Sequence, residues 1–216
     1  MKIAPMPLRR ACLIVSALVM LCACASLSGG KFAPLFDGRT LNGWVTNGGA
    51  IFTVEQGTIA GRTGNRKMGW LCTERHYSDF ILELEVNIAS GNSGIQVRSH
   101  FEPDERGKPH MVGYQIEVDP TPRAWSGGLY DQGRRGWLYA PTNNPAAQAA
   151  FKPNQWNKYR IECRGDRIRS WVNGVPVTDY RDTMDAEGLI ALQVHNGSNA
   201  LVRFRNIRIR DNTPRK

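Results

Sequence analysis

Phe80-Ile81-Leu82-Glu83-Leu84-Glu85-Val86-Asn87-Ile88 alternates apolar and polar side chains without a break from Leu82 onward. A strand sends successive side chains to opposite faces, so Phe80, Leu82, Leu84, Val86 and Ile88 share one face. Ile81, Glu83, Glu85 and Asn87 share the other. A helical period of 3.6 would scatter the same residues around its surface. The two-residue rhythm recurs at 52–54, 70–73, 94–99, 113–119, 157–163, 168–172, 189–195 and 201–210. Between the runs lie Glu55-Gln56-Gly57, Ser90-Gly91-Asn92, Arg164-Gly165-Asp166 and Val172-Asn173-Gly174, which supply Gly and Asn where a tight turn needs positive φ. Only the short Ala-rich stretch 145–151 hints at a helix. Many short strands joined by turns predict an all-β domain, built as two packed antiparallel sheets or a barrel.

Upstream the chemistry changes. Lys2, Arg9 and Arg10 precede an apolar run over 11–21, followed at once by small residues, which is the layout of a secretory leader. The run is too short to span a bilayer. Leu21-Cys22-Ala23-Cys24 resembles the bacterial lipobox, whose last cysteine is acylated and becomes the new N-terminus. The expectation is a leader over 1–23, lipidation at Cys24, a tether over 24–30 and a single domain over 31–216. An ordinary signal peptide is the alternative, and both export the chain. Ala25 is similar to the residue that follows the lipidated cysteine in outer-membrane lipoproteins, which places the expected location in the cell envelope, at the outer membrane facing the periplasm.

The 216 residues carry a formal charge of +9, which falls to +6 when Lys2, Arg9 and Arg10 leave with the leader and no acid goes with them. The arginines are dispersed rather than striped, and export argues against a nucleic-acid partner. Acidic lipid or lipopolysaccharide is the partner class such a charge favours. Beyond Cys24 only Cys72 and Cys163 remain. They are expected either to pair in an oxidising compartment or to sit as two buried thiols.

The connection 120–153 holds five prolines and little periodicity, yet it contains Trp125, Tyr130, Trp137 and Tyr139, rings that need burial. It is expected to be ordered and to wall one end of a polar sheet face. That face would combine Glu83 and Glu85, Gln96 and Arg98, Gln115, Glu117 and Asp119, and Gln193 and His195, if their strands are neighbours. Acids and amides suit sugar hydroxyls, and aromatic rings suit the apolar faces of pyranoses. A solvated sheet face is the alternative, although lysine, common on such faces, is missing from these positions. No HExxH, GxSxG or phosphate-binding GxxxxGK[ST] pattern occurs, so acids are the best catalytic groups available.

Leu35-Phe36-Asp37-Gly38, Leu41-Asn42-Gly43-Trp44, Asn92-Ser93-Gly94-Ile95, Gly113-Tyr114-Gln115-Ile116-Glu117, Trp171-Val172-Asn173-Gly174, Leu192-Gln193-Val194-His195 and Phe204-Arg205-Asn206-Ile207 follow one another in an order that resembles the 3-keto-disaccharide hydrolase family, formerly DUF1080. The resemblance runs from about residue 32 to 210. It implies a concanavalin A-like jelly roll and action on oxidised glycosides. One block departs from the family pattern: many members carry Glu then Gln where this chain has Gln115 then Glu117, which moves the acid two residues along the same face.

Two functions are expected from these residues. In the first, an enzyme cleaves the glycosidic bond of a 3-keto-sugar. The ketone acidifies the C2 hydrogen, Glu117 removes it, Asp119 or His195 protonates the leaving oxygen or holds the base, and Arg98 stabilises the enolate. Glu85, Gln115, Trp125, Tyr130, Trp137 and Gln193 complete the sugar site. Glu85 with Glu117 as two flanking acids would give ordinary glycoside hydrolysis. In the second, the chain is a lectin-like surface module without chemistry. No cofactor is expected, except that acidic residues and loop carbonyls could hold Ca²⁺.

Overall fold

The computed structural model describes Met1 and residues 30–64, 67–197 and 199–213. The leader beyond Met1, Cys24 and all of the tether but Gly30 therefore lie outside the described residues. The elements are β1 (Ala33–Pro34), β2 (Trp44–Gly48), β3 (Ile51–Glu55), β4 (Thr58–Arg62), β5 (Gly69–Thr73), β6 (Phe80–Ser90), β7 (Ser93–Pro103), β8 (Pro109–Val118), β9 (Leu129–Gln132), β10 (Gly136–Tyr139), α1 (Pro145–Gln148), β11 (Asn157–Arg164), β12 (Arg167–Val172), β13 (Val175–Arg181), β14 (Leu189–Val194) and β15 (Leu201–Asp211). They form two antiparallel sheets, ordered β13-β12-β11-β6-β15-β4-β3 with β1 also on β15, and β10-β9-β8-β7-β14-β5-β2. The arrangement is an all-β jelly roll.

The core lies between the sheets and is built by the alternation seen in sequence. Phe80, Leu82, Leu84, Val86 and Ile88 from β6 meet Ile95 and Val97 from β7, Tyr114, Ile116 and Val118 from β8, and Leu192 and Val194 from β14. Burying such side chains is worth about 1.5–3 kcal/mol each, which sets the registers: a one-residue slip would turn every apolar group outward. The hairpins close where the turn chemistry allows. Gln56 and Gly57 have φ of 49° and 74° between Glu55 and Thr58, and Asn173 and Gly174 have φ of 50° and 84° between Val172 and Val175.

Three expectations need correction. The connection 120–153 is ordered but not strandless, because β9 and β10 extend the second sheet beyond β8 and α1 supplies one helical turn. Glu83 and Glu85 do not share a face with Glu117. They lie on the outer face of the β6 sheet, whereas β8 belongs to the other sheet. Alternation tells inside from outside but not which sheet a strand joins. Arg98 also leaves the expected face. Its φ is +50°, at a register shift between Val97 and His100, and this β-bulge turns the side chain away. The guanidinium is buried and donates to the carbonyls of Ser78 and Gly165 at 2.7 Å and to Asp79 Oδ1 at 3.1 Å. It ties loop ends together. Cys72 and Cys163 are buried free thiols, and burial pushes them up to about 11 and about 12.

Candidate functional site

The outer face of the second sheet is floored by amides. Gln115 on β8 stands opposite Tyr130 on β9 and Gln96 on β7, and Glu117 stands opposite Gly94. Gly94 matters because a Cβ there would meet Gln115 Cδ at 2.3 Å, so the Gln115 amide occupies the space a side chain would take. From that position Gln115 Nε2 donates to Glu117 Oε2 at 2.9 Å, while Gln115 Oε1 accepts from Gln96 Nε2 at 2.6 Å. The other Glu117 oxygen, Oε1, accepts from Asn92 Nδ2 at 2.9 Å and from Arg123 Nη2 at 3.0 Å.

Glu117 is only 4% exposed. Burial pushes its carboxyl above the ordinary glutamate range, and the nearby Asp119 charge adds to this. Asn92, Gln115 and Arg123 oppose the shift without reversing it. A carboxylate that is expensive to ionise, yet already oriented by donors, is suited to taking and giving a proton near neutral pH.

Arg123 connects this acid to the aromatic loop. Its Nε donates to Asp119 Oδ2 at 2.8 Å, and its guanidinium carbon lies 4.7 Å from the Trp125 ring centre and 5.1 Å from that of Trp137. Trp125 and Trp137 meet edge to face at 4.7 Å, and Tyr130 meets Trp137 at 5.2 Å. Asp119 is consumed by this loop: Oδ1 accepts from the Thr121 backbone N–H and hydroxyl, and Oδ2 from Arg123. Those partners outweigh its burial and hold its carboxyl below the ordinary range. Asp119 therefore fixes the start of the loop rather than facing a ligand.

A cavity of about 340 Å³ opens here, lined by Met68, Asn92, Gln115, Glu117, Arg123, Tyr130, Gln132, Trp137 and His195. Of the residues expected from sequence, Glu117, His195, Gln115, Tyr130 and Trp137 line it. Trp125 supports Trp137 from behind, and Gln193 lies beneath Met68, whose Sδ is 3.6 Å from Gln193 Nε2. Glu85 and Arg98 are elsewhere, so Glu85 and Glu117 cannot flank one glycosidic bond. Sequence reasoning missed Asn92, Arg123, Met68 and Gln132. Asn92 stood in the quoted Asn92-Ser93-Gly94-Ile95 block, and Arg123 lies four residues after Asp119, an acid–base spacing that could have found it.

A larger groove of about 970 Å³ lies on the β6 sheet, lined in part by Phe32, Glu83, Glu85, Lys158, Arg160 and Trp171. Size does not make it the chemical site. Glu83 receives Arg160 at 2.6 Å and Arg208 at 2.7 Å, and Glu85 receives Arg205 at 2.8 Å and Asn206 at 3.1 Å. Partial burial opposes their ionisation, but these partners win and hold both carboxyls below the ordinary range. Such groups make poor proton carriers at neutral pH. Among the described residues, no cluster of three or more His, Cys, Asp or Glu side chains is placed to hold a metal ion, and no helix is long and apolar enough to cross a membrane.

Solved structures share the fold. A protein from Parabacteroides distasonis, named as a candidate glycosyl hydrolase, is 18% identical with a TM-score of 0.60 over 84% of this chain and 94% of its own. A protein of galectin-like fold from Bacillus subtilis is 11% identical, TM-score 0.62, over 86% and 96%. The carbohydrate-binding module CBM66 from Bacillus subtilis is 20% identical, TM-score 0.53, over 78% and 96%. No curated protein matches the chain. Residues 31–210 match the model of the 3-keto-alpha-glucoside-1,2-lyase-like domain, and the chain belongs to that family.

Proposed function

We propose that the chain cleaves the glycosidic bond of 3-keto-glycosides by elimination, with Glu117 as the base. The observation that carries this reading is a buried carboxyl of raised proton affinity, hydrogen-bonded to an arginine, at the wall of an open cavity. The acidic hydrogen on C2 and the ketone oxygen on C3 sit on adjacent carbons. Base and stabilising cation must therefore be neighbours, as Glu117 and Arg123 are. Glu117 takes the C2 proton, and the freed electron pair moves into an enolate whose oxygen Arg123 stabilises in place of Arg98. Collapse of the enolate forms the C1–C2 double bond and expels the C1 oxygen, which takes a proton from His195. The products are a free alcohol and an unsaturated keto-sugar, and addition of water across the double bond completes net hydrolysis. Trp137 and Tyr130 would hold the ring of the oxidised sugar.

The test supplies the mature chain with 3-keto-trehalose and with trehalose. Release of hexose from the keto-sugar alone, with C2 hydrogen exchange in deuterated water, is the expected outcome. Release from neither, with sugar binding intact, would leave the second reading, a lectin-like module. That reading draws on the uncharged amide floor and on the fold shared with a carbohydrate-binding module.

We also propose that the chain is exported and held at the cell envelope by acylation of Cys24, because Leu21-Cys22-Ala23-Cys24 resembles a lipobox and acyl chains, especially more than one, bury enough methylenes to hold a domain at a bilayer. Cys24→Ser should move the protein from the membrane fraction to the soluble one. Retention of the variant after a high-salt wash would defeat the anchor.

A further inference from the structure

Two buried polar atoms on the same sheet face have no partner: Gln193 Oε1, in a side chain that is 0% exposed, and the Trp70 indole Nε1, in one 7% exposed. Leaving such groups unpaired is costly, and a ligand that reached them past Met68 would relieve both. Gln193 on β14 and Trp70 on β5 are direct partners across the two strands, so their Cα atoms are about 5 Å apart. Leu192 pairs with Ile95 and Gly94 with Glu117, which puts Gln193 in the row of Glu117, two strands away or about 10 Å. That is farther than groups on one ring reach, and it suits C2 of one sugar at Glu117 with the far hydroxyls of the next sugar at Gln193.

The direction matches the chemistry. Arg123 and the tryptophans lie on the β9 side of Glu117, and His195 and Met68 on the β14 and β5 side. If the ketone faces Arg123, the C1 oxygen and whatever it carries point toward His195 and beyond it to Gln193 and Trp70. Met68 covers the Gln193 end, with its thioether 3.6 Å from the Gln193 amide nitrogen, and Phe101 meets the Trp70 ring edge to face at 6.4 Å. Methionine is unbranched and changes rotamer at little cost, so it can turn aside.

We propose that Gln193 and Trp70 form a second subsite, uncovered by rotation of Met68, which binds the hydroxyls of the leaving-group sugar. The amide oxygen accepts from a hydroxyl and the indole N–H donates to one, and each hydroxyl can do both. The proposal rests on the elimination reading for the direction of the substrate, and its test separates the two. The ratio of kcat/KM for 3-keto-trehalose to that for methyl 3-keto-α-glucoside is measured in the wild type, Trp70→Phe and Gln193→Met. Gln193→Met keeps bulk and Trp70→Phe keeps an aromatic ring without the N–H, and melting temperature controls for folding.

The ratio should fall by about 5- to 50-fold in each variant, through KM more than kcat. An unchanged ratio in folded variants overturns the subsite. If neither substrate turns over, the elimination reading fails, and the Trp70 indole N–H resonance, assigned by its loss in Trp70→Phe, decides the rest. A shift on titration with trehalose but not with methyl α-glucoside supports the subsite. No shift, with exchange to bulk water only, overturns it.

Discussion

On the outer face of the β6 sheet, Glu83, Glu85 and Glu162 are each matched to arginines at 2.6–2.9 Å. On the outer face of the β8 sheet, Glu117 sits among amides, with one arginine shared with Asp119, and Gln193 and Trp70 keep unpaired atoms. Both faces are polar and both bear a groove. The first has satisfied its charges among themselves, partly exposed to water. The second has been buried before its hydrogen bonding is complete, which leaves it with proton affinity and donor capacity to offer a ligand.

The sharpest break would come from parallel substitutions on the two faces. Glu117→Gln should lower kcat on a 3-keto-disaccharide by about 10²- to 10⁴-fold while binding survives. Glu85→Gln, on the other sheet, should leave turnover unchanged. Equal losses from both would erase the distinction. Arg123→Gln should cost about 10²- to 10³-fold in kcat. It should also move the acidic limb of the kcat/KM profile to higher pH, because the guanidinium now favours ionised Glu117. An unmoved limb would separate Arg123 from the base.

Stability should depend on pH in opposite senses at the two faces. Glu117 has a raised pKa in the folded state, so between the ordinary glutamate value and the raised one the folded chain binds more protons than the unfolded chain. Its contribution to stability therefore falls as pH rises through that window. Glu83 and Glu85 are depressed, so their contribution is present above the ordinary value and is lost as pH falls through the depressed ones. Melting Glu117→Gln across mildly acid to neutral pH should show a flatter fall than in the wild type. A parallel curve would place the proton elsewhere. The smallest effect is expected from Arg208→Gln, under about 1 kcal/mol and shrinking with salt, since exposed ion pairs contribute little.

Much of this was legible in the chain. The two-residue rhythm of 80–88 and 113–119 set inside against outside, and Glu117, Gln115 and Gln193 fell on an outer face as read. Sheet membership was not legible, because period two carries no information about which strands pair, and Glu85 was misplaced for that reason. Arg98 was misread because a bulge breaks alternation at one residue that sequence does not flag. β4 (Thr58–Arg62) and β9–β10 were missed because Gly61 interrupts the apolar pattern in the first, and the others are four residues long inside a proline-rich stretch.

The strand order has a consequence for timing. β14 sits between β7 and β5, and β15 sits between β6 and β4. Each sheet thus keeps an empty central lane until residues 189–211 are available, and neither half of the sandwich can close around what has already been made. Pairings between distant parts of a chain form slowly. Until those residues are made the interior stays open, and a leader of the kind proposed for residues 1–23 would find such a chain threadable.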